Sequence, residues 1–314
     1  GLPVAVFVVL HVSPYGRSAM PAILTRAGVL PAEHPRDGEP VQEGRIYVAP
    51  PDHHLILEDG RVRVSHGPSE NAQRPAVDVL FRTAAQSYGR RAIAVVLTGN
   101  LDDGTAGLAI VKRHGGIAVV QDPADADYPS MPSSAIYNVD VDHVVPLADI
   151  PGLLVELCSQ PVVDPEPPPD PEARDMREEV DLGDDPEAQG VPSDLTCPAC
   201  GGSLREARVD SVVHFRCRTG HAYSPESLLA KQTDVIEEAL WAAMRSLEEN
   251  AALARRMERR MRQLRQNGPG AEERYGRRAQ EAEQHAEVLR KILTKDEEGT
   301  QQLDAPAREP SRMT

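Results

Sequence analysis

The chain has 314 residues, 40% of them apolar, and carries 49 acidic against 34 basic residues for a formal charge of -15. That length implies at least two domains and one true core, and the acidity argues against the basic footprint that makes nucleic acid a partner. No apolar run approaches the roughly 18 residues that span a bilayer, and the first, Val4 to Leu10, lacks the basic lead-in and cleavage site of a signal peptide, so a cytoplasmic protein without membrane insertion is expected.

From residue 1 to about 158, short β-rich runs alternate with helical ones. Val4–His11, Arg45–Ala49, Leu55–Leu57 with Arg61–Val64, Ala92–Thr98, Ile117–Gln121 and His143–Val145 read as strands. Ala19–Ala27, Val77–Tyr88, Thr105–Arg113, Met131–Tyr137 and Ile150–Leu157 read as helices from their apolar spacing. Continuous apolar strands such as Ala92 to Leu97 are those of a parallel sheet covered on both faces. Residues 1–158 are therefore predicted to be an α/β domain with a doubly wound, mostly parallel sheet, whose chemistry should lie just beyond the carboxyl ends of the strands.

Residues 159–194 change character: eight prolines sit among acidic residues with few aliphatics, which predicts an extended linker. A segment of Cys, Gly and His follows over 195–223. Ser224-Pro225-Glu226 then supplies an N-cap and a first-turn proline for a long helix. Its apolar stripe runs through Val235, Ile236, Leu240, Trp241, Met244, Leu247, Ala251, Leu253, Met257, Met261 and Leu264. Asn267-Gly268-Pro269-Gly270 breaks the pattern before a second helix from Ala271 to about Leu293, whose stripe is Tyr275, Ala279, Ala282, Ala286, Leu289, Ile292 and Leu293. Residues 224–294 thus read as an αα-hairpin that could pair with another copy, and 295–314 as a disordered tail. Arg255, Arg256, Arg259, Arg260, Arg262 and Arg265 are read as a solvated basic face paired with nearby glutamates.

Two groups in the first domain could carry chemistry. His11 follows an apolar strand, and a Gly-bearing turn between a buried strand and a helix carries two aspartates, Asp102 and Asp103. Taken separately, one is an exposed strand-end histidine and the other a helix cap. Together they are the imidazole and carboxylate of a Ser-His-Asp triad.

Five ordered blocks carry a resemblance: Val9-Leu10-His11-Val12-Ser13-Pro14, Gly44 to Leu55, Arg74 to Phe81, Val95-Val96-Leu97-Thr98-Gly99 through Gly107, and Gln121-Asp122-Pro123 with Met131 to Ile136. They resemble the CheB-type chemotaxis protein-glutamate methylesterase domain. The resemblance implies an α/β hydrolase that cleaves glutamate methyl esters on chemoreceptors, releasing methanol, some members also deamidating receptor glutamines. It places the catalytic histidine at His11 and the triad aspartate at Asp103, needs no catalytic cofactor, and puts Asn100 where the family often has a methionine whose backbone helps form the site. It also places the nucleophilic serine in a Gly-rich turn ahead of the histidine, before residue 1. Gly1 in place of a start Met leads us to expect a truncated chain, inactive as written and lacking its opening strand, rather than an evolved pseudoenzyme. Ser13 and Ser18 follow the strand and are not expected to substitute. His53 and His54 lie in a Pro-rich turn and are read as surface residues, with lining of the cleft as the other option.

The second domain has its own signal. Cys197-x₂-Cys200 and Cys217-x₃-His221 supply the four N/S ligands of a structural zinc ribbon, with His214 as a replacement for His221. Gly201-Gly202 points away from a thioredoxin-like redox pair, whose second cysteine would open a helix. Two rivals to the esterase stand: a non-catalytic signalling protein that binds its partner through ribbon and hairpin, and a zinc-ribbon nucleic-acid binder, which the acidity disfavours.

Overall fold

The structure is a computed structural model and describes residues 4–16, 18–162, 190–209, 212–264 and 270–303. Most of the expected linker (163–189) and the end of the expected tail (304–314) lie outside the described residues. The chain divides into two compact units, Gly1–Ala230 and Lys231–Thr314.

In the first unit, β1 (Val6–Val8), β4 (Ile46–Val48) and β2 (Ala32–Glu33) form a parallel sheet in the order β1-β4-β2, with helix α1 (Met20–Ala27) between β1 and β2 in sequence. A second parallel sheet joins β7 (Ile93–Val96), β8 (Ile117–Gln121) and β9 (His143–Val145) in chain order. The crossovers of this second sheet are helices α3 (Thr105–Arg113) and α4 (Ser130–Asn138), and α5 (Ile150–Ser159) follows it. Between the two parallel sheets in sequence, β3 (Glu39–Pro40), β6 (Arg61–Ser65) and β5 (His54–Glu58) make an antiparallel sheet, and α2 (Val77–Tyr88) leads on to β7. The α/β class with parallel sheets is as expected. The single doubly wound sheet is corrected to separate three-stranded ones, since no described strand bridges β1 to β7. The antiparallel piece follows from its turn: Asp59 and Gly60 both have positive φ (49° and 70°), the geometry that closes a tight hairpin and no crossover.

The core gathers Tyr47, Leu55, Val62, Leu108, Val111 and Val120, each fully buried, from both faces of these layers. The alternating burial of β5 and β6 and the nearly complete burial of β8 reproduce their sequence patterns.

Residues 190–223 form an antiparallel meander of β10 (Val191–Thr196), β11 (Ser203–Val209), β12 (Val212–Cys217) and β13 (Ala222–Tyr223). Its first strand begins inside the segment read as linker. Pro192 is tolerated there because β10 is an edge strand. A small core of Cys197, Leu204, Phe215, Cys217, Tyr223 and Leu228 holds it. Helix α6 (Pro225–Leu264) starts in the first unit and supplies Leu228.

In the second unit, α6 and α7 (Ala271–Leu303) are linked by Arg262 to Glu272 (2.7 Å), Arg255 to Glu283 (2.9 Å) and Arg290 to Glu248. The partners run in opposite directions along the two helices. Arg255 and Arg262 of the basic stretch are thereby engaged with glutamates. The buried seam is Ala251, Ala254, Ala279, Ala282 and Ala286 with Leu293, all but Ala254 members of the stripes read from the sequence, whereas Ile236, Trp241 and Leu253 of the first stripe are exposed. Small side chains let two helix axes approach closely, so alanine takes the contact. The second helix also continues to Leu303, past the point where a disordered tail was expected. Lys, Glu and Gln are good helix formers, and a polar helix end needs no packing partner.

Candidate active site

His11 lies just beyond β1 and Asp103 just beyond β7, both at carboxyl ends of parallel strands. His11 Nε2 is 2.7 Å from Asp103 Oδ2, although the residues are 92 positions apart. The imidazole is partly exposed and the carboxylate is 3% exposed, so one partner is open to solvent and the other is held by protein.

Four protein groups besides the solvent-facing side of the pocket decide how Asp103 sits. Its Oδ2 accepts from Val77 N at 2.7 Å as well as from His11, and its Oδ1 accepts from Asp78 N at 3.2 Å and Asn71 Nδ2 at 3.0 Å. Val77 and Asp78 open α2, whose own N-cap residue, Ala76, offers no side-chain acceptor. Asp103 therefore caps a neighbouring helix. The cap uses the same carboxylate that meets His11, so one group makes both contacts.

Glycines bring the two helices to this distance. Gly104 has φ +98°, and a Cβ there would lie 2.9 Å from Val77 Cγ1. A Cβ on Gly107 would lie 2.6 Å from Phe81 Cβ and 3.0 Å from the Asp78 backbone. The space saved lets Gly107 N donate to Asp78 Oδ1 at 2.6 Å. Asp78 is buried, and burial followed by the Asp103 charge pushes its pKa well up, against the Gly107 and Asn71 hydrogen bonds.

On the strand side, buried Gln121 accepts from Thr98 N through Oε1 (2.9 Å) and donates to Asp125 through Nε2 (3.0 Å), fixing the turn after β7. Asn100 is exposed in this turn and has no hydrogen bond to His11 or Asp103 among the described residues. Ser13 Oγ and Ser18 Oγ accept from Tyr15 N and Met20 N, as turn-forming serines do. No serine hydroxyl among the described residues is hydrogen-bonded to His11.

The expected surface role of His54 is corrected. It is 3% exposed within β5, its Nε2 donates to Pro68 O (2.9 Å), its Nδ1 accepts from Ala76 N (3.3 Å), and burial lowers its pKa. It is a neutral packing histidine, placed there because the strand begins one residue before Leu55. His53 turns back onto Pro51 O and packs edge-on against His66.

Asn71, which the sequence analysis passed over, is hydrogen-bonded through its side chain to both Asp78 and Asp103. Its only sequence signal is an Asn in a polar turn before the Arg74-Pro75 block, which is too common to single out.

In the ribbon, one ligand atom from each of Cys197, Cys200, Cys217 and His221 lies within 4.8 Å of the others. Cys200 Sγ and Cys217 Sγ are 3.7 Å apart, and His221 Nδ1 is 3.7 Å from Cys197 Sγ and 3.6 Å from Cys217 Sγ. Tetrahedral Zn²⁺ with Zn–S near 2.3 Å spaces its ligands by roughly 3.5–3.8 Å, so the four side chains fit such an ion. The sulfur spacing is far too long for a disulfide. His214 is outside this group.

The CheB methylesterase family model matches residues 1–154. A relative from Leptospira interrogans is 38% identical over 158 residues, covering 50% of this chain and 81% of that protein. Relatives named protein-glutamate methylesterase/protein-glutamine glutaminase come from Anaeromyxobacter dehalogenans (36% identical) and Pyrococcus abyssi (35%). Each alignment takes 49% of this chain, and 46% and 43% of theirs, so the chain spans less than half the length of these two. The solved catalytic domain of Thermotoga maritima CheB methylesterase is 35% identical with a TM-score of 0.48, covering 50% of this chain and 85% of that one. With 38% identity over four-fifths of the Leptospira protein, the chain belongs to the CheB methylesterase family.

Proposed function

We propose that the protein is a carboxylic ester hydrolase that removes methyl groups from glutamate side chains of a chemoreceptor-like protein in the cytoplasm, and acts on glutamine amides by the same route. The observation that carries this reading is the 2.7 Å contact between His11 Nε2 and the buried Asp103 carboxylate. Asp103 holds the ring with its proton on Nε2, which leaves Nδ1 to take the proton of a serine hydroxyl as that oxygen attacks the ester carbonyl. The imidazolium, stabilised by Asp103, returns the proton to the departing methoxide, which leaves as methanol. Water, deprotonated in turn by His11, then cleaves the acyl-enzyme and restores the glutamate carboxylate. The serine is the one that the family resemblance places in a Gly-rich turn ahead of His11. Asn100 is assigned to the substrate side of the turn that carries Asp103.

Cys197, Cys200, Cys217 and His221 are assigned a structural Zn²⁺. Four protein ligands fill its coordination, so the ion contributes fold and no chemistry. Exposed Ile236, Leu253, Val288 and Ile292 on the helix pair support self-association there, which sedimentation measures directly.

Methanol release from a methylated receptor fragment by the full-length protein tests the activity. His11→Ala should lower the rate by a factor of about 10³ or more, and an undiminished rate would refute the assignment. A second reading is a non-catalytic interaction protein, for which the exposed Ile236, Leu253, Val288 and Ile292 of the helix pair would supply a binding face. It predicts no methanol from the full-length wild-type protein.

A further inference from the structure

The ribbon and the active-site carboxylates are joined through one side chain. Asn71 is 4% exposed and all four hydrogen-bonding positions of its carboxamide are used. Nδ2 donates to Asp78 Oδ2 (2.8 Å) and Asp103 Oδ1 (3.0 Å). Oδ1 accepts from Ser224 N (2.9 Å) and Ser227 Oγ (3.1 Å), both at the start of α6 where the ribbon ends. Because a backbone N–H can only donate, Ser224 N forbids the reversed amide, and the NH₂ group is forced toward the carboxylates.

The backbone around Asn71 depends on the same contact. Asn71 and Ala72 have φ of +52° and +60°, conformations that need outside support. Asn71 N donates to Ala222 O (2.8 Å), and Ala222 N donates to Ser69 O (3.2 Å), so β13 clamps this loop from both sides. Next to it, Glu70 receives two hydrogen bonds from Arg82 of α2 and one from Arg216 of β12 (3.3 Å). The turn that carries Asp103 is gripped once more: Ser224 Oγ donates to Asp102 Oδ1 at 2.7 Å.

We propose that Asn71 is a positioning residue for the His11–Asp103 pair and that its carboxamide is set by Ser224 and Ser227, so that the metal-folded ribbon controls the alignment of the catalytic carboxylate. The proposal rests on the esterase reading for its functional consequence and on the coordinates for the linkage. When the ribbon loosens, Asn71 loses the donors that fix its amide, and Asp78 and Asp103 lose the N–H₂ group that bridges them. Asp103 then no longer meets His11 Nε2 at the present distance.

The test uses the full-length protein loaded with Zn²⁺ and reads the His11 Nε2 proton by NMR, as the low-field resonance that His11→Ala abolishes. Combined Ser224→Ala and Ser227→Ala substitution, and separately removal of Zn²⁺ by a chelator, should shift or broaden that resonance. They should also lower kcat about tenfold with KM unchanged, the effect of one misplaced hydrogen bond. Ser227→Thr, which keeps the hydroxyl, should retain both signals. A resonance that stays in place through both perturbations, or a fall confined to KM, overturns the proposal. Since the resonance needs no substrate, coupling seen in a protein that releases no methanol supports the relay and refutes only the esterase reading.

Discussion

The carboxylate of Asp103 accepts the Val77 backbone N–H at 2.7 Å on the oxygen that also receives His11 Nε2, so the group that orients the imidazole is itself oriented by the start of α2. Its other oxygen accepts Asp78 N. Both oxygens therefore face backbone donors, and asparagine is no neutral substitute: its NH₂ would oppose one N–H or the other. Asp103→Asn and Asp103→Ala should each cost about 1–3 kcal/mol in a urea titration, the penalty of unmade buried hydrogen bonds, in addition to abolishing methanol release. An Asp103→Asn protein as stable as wild type would show that the capping contacts carry no weight.

The close approach of α2 and α3 gives a second prediction. Gly107→Ala places a methyl 2.6 Å from Phe81 Cβ and 3.0 Å from Asp78 Cα, and backbone cannot yield as a flexible side chain can. Destabilisation of about 1–3 kcal/mol is expected from overpacking. Activity should fall too, because Asp78 and Val77 move together. Thermal unfolding and methanol release measured on the same preparation check both effects.

The cysteine and histidine cluster predicts one Zn²⁺ per chain by elemental analysis. Cys200→Ser should abolish stoichiometric binding. Chelation should expose residues 190–223 to proteolysis, since the small core around Leu204, Phe215 and Tyr223 contains two of the ligands, Cys197 and Cys217. A ribbon equally protected with and without metal would remove the structural role.

His214 and Glu70 should each contribute stability that acid removes, in two separate pH windows. Desolvation holds His214 down to about 4, Arg82 and Arg216 adding to it against Glu70. Burial alone would raise Glu70, but Arg82 and then Arg216 bring it down to about 2. Both values lie below the ordinary ones, 6.5 and 4.5, so the unfolded chain binds each proton first and stability falls as pH falls. The His214 contribution should be lost from about pH 6.5 to 4, and that of Glu70 from about 4.5 to 2. Denaturant midpoints across pH 2–8 measure this, with His214→Gln removing the upper stage. Asp78 and Asp102, whose carboxyls burial raises, Asp102 to about 7, act in the opposite sense, so the His214 stage is read as the difference between wild type and His214→Gln, and a difference that stays constant from pH 6.5 to 4 would contradict it.

Sequence by itself determined much of this protein. The strands Ile117–Gln121 and His143–Val145 and the helices Val77–Tyr88 and Thr105–Arg113 coincide with their apolar patterns, because periodicity records which face is buried. Residue type and spacing brought Cys197, Cys200 and Cys217 together with His221 and paired His11 with the aspartates after β7, and the family resemblance picked Asp103 of the two. Only the tertiary structure decided what one-dimensional patterns do not hold. It divided the parallel strands into separate sheets, turned Ile236, Trp241 and Leu253 of the first helix stripe toward solvent, and buried His54 with both ring nitrogens satisfied. Above all, it brought Asn71 between Asp103 and Ser224, residues 121 positions apart along the chain. A hydrogen bond between distant loops depends on where the chain returns in space, and no local pattern of hydrophobicity encodes that.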